Sequence, residues 1–344
     1  MTKRPFLLGI LITLGTLVIL YCNFKSNNTA KNYLQAGGFH RSESDVISSL
    51  RDKFSLSDGY YDIVGIIKNK IIIREVKTPN IILLNEDKTT TTILLPENID
   101  PKSIFDIAVD PLHDNILEIH CNNNRNVHLY DIKKDTIIKS FKFKQYFDKI
   151  IRCSQNTFYA FIPDNRSRNL VLAVIEFDEY GNDHIIETTN IVRESMVDDG
   201  MFQKYGSDLV YINYYNNKIS VLDSSLTHEK YYHTIDTITS KPKTVTIKNG
   251  SIRKFLNAPR YVNQLSQISD GLLFVNSYVK SENYLSKDID VIDIYDIKNK
   301  FSYKGSLFLK RIDNNRISDF LVSNKKLILQ YPTTTVIYEL SMQI

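Results

Sequence analysis

The sequence predicts an all-β chain folded as a six-bladed β-propeller of four-stranded blades, and three observations carry that expectation. The first is a recurring strand ending, a bulky residue followed by an acid or amide: Leu84-Asn85, Tyr130-Asp131, Phe177-Asp178, Leu222-Asp223, Tyr295-Asp296 and Tyr338-Glu339. The second members stand at 85, 131, 178, 223, 296 and 339, so the steps are 46, 47, 45, 73 and 43 residues. A repeat of ~45 residues with four strands per unit is the mark of a propeller blade. The step of 73 is too short for two blades and reads as one blade plus an insert. The second observation is an echo in the first strand of three repeats: Tyr61-Asp62-Ile63-Val64, Phe105-Asp106-Ile107-Ala108 and Ser318-Asp319-Phe320-Leu321. The third is the stretch Ile104 to Phe143, which reads as four short runs rich in Ile, Val, Tyr, Phe and Thr. They are separated by Asp/Asn turns such as Asp110-Pro111-Leu112-His113-Asp114-Asn115.

Taken in order, the chain opens with Lys3 and Arg4 and then an apolar run without a charge, Phe6–Tyr21. A basic start followed by such a run is an export signal or a signal anchor, with the N-terminus in the cytoplasm. At ~1.5 Å rise per residue the run is just long enough to span. Residues 1–22 are therefore expected to be a signal anchor or signal peptide. Cys22 follows Ile19-Leu20-Tyr21 in the manner of a lipoprotein box, although Tyr21 stands where a small residue is wanted. An uncleaved anchor, lipidation at Cys22 and simple cleavage all remain open.

Residues 23–44 are polar and read as a flexible tether, and 45–344 as the propeller. The last repeat shows only three strands. Part of Val46–Leu56 is expected to supply its outer strand, so that the two ends of the chain close the ring and no edge stays open. The insert, residues 240–260, carries Lys241, Lys243, Lys248, Arg253, Lys254 and Arg260 and no acid. Lys248-Asn249-Gly250 is a hairpin signal. A basic hairpin on one rim suggests docking of an acidic partner or of membrane headgroups through Lys243, Lys248, Arg253 and Lys254.

Composition narrows the function. A net charge of +4 over 344 residues is weak for a nucleic-acid binder, and none is expected. Twelve glycines leave little room for phosphate-cradling loops. No G-x-S-x-G, H-E-x-x-H, P-loop or dinucleotide motif occurs, so no catalytic residue and no cofactor is assigned. Of the three cysteines, Cys121 and Cys153 are expected on opposite rims, which argues against a disulfide between them. Asp62, Asp106 and Asp319 are expected on innermost strands near the axial channel. There they would either satisfy backbone N–H groups or bind a cation or basic ligand. His120 and His128 would face each other across a hairpin, but Cys121 points the other way, so no metal is assigned. Glu194, Asp198 and Asp199 read as a solvated acidic loop, and Tyr214 and Tyr215 as exposed side chains suited to a glycan or peptide.

The blade period and the Tyr-Asp-like endings resemble the six-bladed propeller superfamily that holds NHL, TolB-like and YVTN-type proteins, over residues 46–344. The chain has no Trp, so the Trp-Asp endings of WD40 repeats are missing. With its leader and tether, the chain resembles exported, membrane-tethered propellers of Bacteroidota. That resemblance implies a periplasmic or extracellular location, attachment to the membrane through the N-terminal segment, and a non-enzymatic scaffold that binds a protein or another ligand. The alternative is a propeller enzyme or enzyme subunit, hydrolase, lyase or amine-dehydrogenase heavy-chain in type, with its site at the axial channel.

Overall fold

A computed structural model describes residues 38–85, 87–113, 115–164, 167, 169–223, 225–247, 252–286 and 288–341 of the protein. The leader, the tether up to residue 37, Cys22 and Lys248 lie outside the described residues. No helix among the described residues is long and apolar enough to cross a membrane.

The described residues form six four-stranded antiparallel sheets and one two-stranded hairpin. Blades 1 to 5 follow chain order, and their first strands are Tyr61–Ile67, Ile104–Val109, Lys149–Arg152, Gly200–Tyr205 and Asn263–Ser269. Blade 6 begins with Asp319–Ser323. First strands of neighbouring blades touch at five of the six junctions and so line the axis. The expected closure is present: Ile47–Ser55 pairs antiparallel with Thr334–Ser341 and completes blade 6 from the other end of the chain. The long step resolves into two insertions, the segment carrying Thr244–Ile247 and Ile252–Phe255 between blades 4 and 5, and a long loop inside blade 5 between Leu272–Ser277 and Ile289–Asp296.

The recurring strand ending now has a physical cause. Leu84, Tyr130, Phe177, Leu222 and Tyr295 are all buried, each at the outer end of a third strand. The acid that follows turns the chain. Asp131 accepts from the Lys133 and Lys134 amides, and Asp178 from those of Tyr180 and Asn182. Apolar packing is divided accordingly into wedges between blades. Phe141, Phe143, Phe158 and Phe177 meet edge to face between blades 2 and 3, with centroids 4.9–5.8 Å apart. Five further clusters fill the other junctions.

Residues 38–44 depart from the expected flexible tether, because they are docked along blade 5. Ser306 donates its amide to the Ser42 carbonyl at 2.8 Å, and the Ser44 amide donates to the Ser306 carbonyl at 3.1 Å. The outer strand Ser302–Lys310 admits this contact through Gly305, whose φ is +132°. A Cβ there would stand 2.5 Å from the Ser44 Cα. Arg41 then plunges into the blade. Its Nε and Nη2 donate to Asp293 at 2.7 and 2.8 Å, Nη1 to the Val279 carbonyl at 2.7 Å, and Nη2 also to Ser277 Oγ at 2.9 Å. Both charged side chains are excluded from water. The segment that closes the ring is thus riveted to blade 5 before it reaches blade 6.

A second buried ionic knot joins blades 2 and 3. Arg152, at the end of an inner strand, meets Asp110 Oδ2 at 3.1 Å and Glu118 Oε1 at 3.2 Å, and donates to the Ser154 and Gln155 carbonyls. His120 lies 3.4 Å from Glu118. Strand register places His128 opposite Ile119 and His120 opposite Val127, so the two histidines occupy opposite faces of the sheet rather than facing each other. Cys121 stands opposite Ile104 at the start of an inner strand, whereas Cys153 follows the end of one. The two thiols are free and lie toward opposite rims.

Candidate functional site at the axial mouth

All six inner strands enter the ring from the same rim, so their first residues form a mouth around the axis. Asp62, Asp106 and Asp319 stand there, on blades 1, 2 and 6. Each strand alternates, which sends its neighbours Tyr61, Ile107 and Phe320 into the wedges and leaves the carboxylates toward the channel. Asp319 accepts from the Ile63 amide at 2.7 Å and from its neighbour Phe320 at 2.8 Å. It therefore ties blade 6 to blade 1, the scaffolding role weighed for such a residue. Asp62 and Asp106 are exposed to channel water. Arg74 opposes Asp62, and His120 Nδ1 lies 3.9 Å from Asp106.

Withdrawal from water and neighbouring charge shift the protonation of Asp62 and Asp319. Partial desolvation at the channel wall outweighs the opposing charge of Arg74 and, with a smaller contribution from Asp106, raises the Asp62 carboxyl. For Asp319, burial and the charges of Asp62 and Asp106 outweigh its two amide bonds and push it from the ordinary 3.8 up to about 8. Between those two values the folded chain holds a proton that the unfolded chain has released. The folded state therefore loses stability as pH rises through that window. Asn in place of Asp319 keeps an acceptor for the Ile63 amide and removes the charge. D319N is expected to melt higher than the native chain at pH 9, with the gain shrinking at pH 5. Equal differences at the two pH values would show that Asp319 titrates normally.

The other half of the mouth carries its own cation. Lys149 Nζ lies 3.3 Å from Asp199 and packs over the rings of Phe105 and Tyr214, 5.6 and 5.8 Å from their centroids. Its proton is held more tightly than usual because Asp199, Tyr214 and Asp148 outweigh the cost of burial. Burial raises Asp148. Lys149 thus serves as a built-in cation on the side of blades 3 and 4, and the free acidic patch is the half formed by Asp62 and Asp106, bordered by exposed Phe105. Among the described residues no three His, Cys, Asp or Glu side chains gather closely enough to hold a metal ion.

The basic insert rises from the same rim, and salt bridges root it there. Lys241 meets Asp198 at 2.7 Å, and Arg253 binds Glu194 and Thr244 Oγ1. The expected solvated loop of Glu194, Asp198 and Asp199 is instead a row of partners for Arg253, Lys241 and Lys149. Arg253 is committed inside the protein, while Lys243 and Lys254 remain exposed on the insert. Tyr215 is buried, in an aromatic cluster with Tyr214, Phe255 and Tyr261, and Tyr214 is half-buried beside Lys149. Neither is the freely exposed ring expected for glycan stacking. Lys149 and Arg152 were not singled out in the sequence, where a lysine and an arginine in a short strand carry no distinguishing pattern.

No family model matches the chain, and no curated protein does. Solved structures match it in fold. A member of the DUF4221 family from Bacteroides vulgatus is 13% identical, with 87% of this chain and 99% of that one covered and a TM-score of 0.55. An exported-protein candidate from Bacteroides fragilis is 10% identical, covering 90% and 99% of the two chains, with a TM-score of 0.53. A streptogramin B lyase, 11% identical over 84% and 97% of the chains, has a TM-score of 0.49. At these identities the likeness to the two Bacteroides structures concerns the fold alone.

Proposed function

We propose that the chain is a non-enzymatic binding scaffold, held at a membrane by its N-terminal segment and facing the periplasm or the exterior, and that it captures a basic ligand or a basic segment of a protein partner at the axial mouth. The observation that carries this reading is the division of the mouth. Lys149 pairs with Asp199 on one side, and Asp62 and Asp106 stand open to water beside an exposed aromatic ring on the other. Carboxylates with an aromatic neighbour recognise ammonium and guanidinium groups by charge and by the ring face. Blades formed of strands pin these groups rigidly, which keeps the ordering cost of binding low. Lys243 and Lys254 lie on the same rim, so a protein seated at the mouth meets charge of both signs. The apolar, uncharged run Phe6–Tyr21 behind Lys3 and Arg4 supports the membrane tether. The fold shared with an exported-protein candidate from Bacteroides accords with a location outside the cytoplasm.

The test is titration of the chain with tetralysine at low salt. The native chain is expected to bind saturably, and the D62N/D106N pair to bind about tenfold more weakly, in line with the loss of two charge-assisted contacts. An unchanged dissociation constant in the pair variant would remove the mouth from the binding role.

A further inference from the structure

Between the two legs of the insert lies a cleft of about 390 Å³. One leg contributes Ser240, Lys241, Pro242 and Lys243, the other Asn257, Ala258, Pro259 and Arg260, and the floor is apolar, with Tyr215, Ile238 and Val262. The size falls in the range of small-molecule sites, ~300–1,000 Å³. The cations on its walls are not equivalent. Lys241 is spent on Asp198. The guanidinium of Arg260 and the ammonium of Lys243 have no hydrogen-bond or ion-pair partner among the described residues.

Arg260 is half-buried, so it is deprived of part of its hydration without a replacement. Burial disfavours its charge, and only Asp236 opposes that. Asp236 is itself committed elsewhere, accepting from Thr234 Oγ1 at 2.5 Å and from the Ile238 amide at 2.9 Å. A guanidinium held at the wall of a cleft with its fork free is arranged for a planar or tetrahedral oxyanion. Two ion pairs, Lys241 to Asp198 and Arg253 to Glu194, tie the insert to the acidic loop between blades 3 and 4. The hairpin pairing of Thr244–Ile247 with Ile252–Phe255 stiffens the insert above.

We propose that this cleft is an anion-binding site for a small molecule bearing a carboxylate or a phosphate, with Arg260 and Lys243 as its ligands. The site is separate from the acidic half of the mouth and of opposite sign.

Glucuronate and inorganic phosphate are the probes, with glucose as the uncharged comparison, each titrated calorimetrically into the whole chain. At least one of the two anions is expected to bind saturably and glucose not at all. The anion that binds identifies the ligand chemistry. R260Q and K243Q are each expected to weaken that binding about tenfold, and K254Q, on the hairpin outside the cleft, to leave it within about twofold. Lys243 is exposed, so K243Q decides the matter if R260Q lowers the melting temperature. Absence of saturable binding by both anions, or equal weakening in K254Q, would overturn the proposal. The D62N/D106N pair is expected to bind the anion as the native chain does, which separates a failure here from a failure at the mouth.

Discussion

Replacing Arg41 with Met is expected to destabilise the protein by about 3–5 kcal/mol, the usual cost of leaving one member of a buried ion pair without its partner. The pair is bidentate, and neither side chain is reached by water. Among the described residues Asp293 would keep only the Ser306 hydroxyl, which donates to it at 2.5 Å. The Arg41 side chain also satisfies the Val279 carbonyl, which Met cannot do. R41K is expected to fall between, because an ammonium cannot span both carboxylate oxygens and the carbonyl together. The effect has a direction along the chain. Arg41 anchors residues 38–44 to blade 5, and the next strand, Ile47–Ser55, closes blade 6. Loss of the anchor should first release the closing strand. In R41M, limited proteolysis is expected to cut near residues 38–55 before the blades open, and thermal melting to fall by several degrees. A melting temperature within about 1 °C of the native value would show that the closing strand is held by its pairing with Thr334–Ser341 alone.

The Arg152 knot is expected to be of comparable weight. R152M takes the guanidinium from both Asp110 and Glu118 and leaves them only the imidazoles of His113 and His120, at 2.8 and 3.4 Å. The loss is again about 3–5 kcal/mol. Urea denaturation followed by tyrosine fluorescence measures it, since the chain has no Trp. The double variant R152M/E118Q should recover part of the loss, because it removes one of the two stranded charges. A loss under about 1 kcal/mol in R152M would mean that water enters this junction and solvates the acids.

The blade architecture was legible because each repeat states it locally. A bulky residue must fill a wedge and the acid after it must cap a turn, so Tyr130-Asp131 and Tyr295-Asp296 look alike although 165 residues separate them. The incomplete last repeat likewise announced that a strand from the other terminus was needed, since an open edge is costly. Alternation along the first strand put Asp62, Asp106 and Asp319 at the channel. What those acids do there was not legible. Period and alternation place a side chain on a face but do not say which side chains from other blades meet it. Lys149 on blade 3 against Asp199 on blade 4, and Arg152 on blade 3 against Asp110 and Glu118 on blade 2, are contacts between repeats.

The same limit governs the corrections. Glu194 and Asp198 look solvated and Arg253 looks free to dock a partner when read along the chain, and they become partners of one another's segments only because the insert folds back over the rim of blades 3 and 4. Tyr215 looks exposed in a polar loop, and it is buried because Phe255 and Tyr261 come from the insert and its exit. Residues 38–44 look like a tether because polar side chains with no periodicity carry no element signal. Their docking rests on Gly305 and Asp293, more than 240 residues away. The sequence by itself determined the number of blades, their register and the manner of closure, because these follow from short-range hydrophobic pattern and turn chemistry repeated along the chain. Only the tertiary structure decided which charges are paired, which half of the mouth is free and where the cleft lies, because Coulomb partners and hydrogen bonds are chosen by proximity in space, and in a ring each blade meets neighbours that the chain alone does not place side by side.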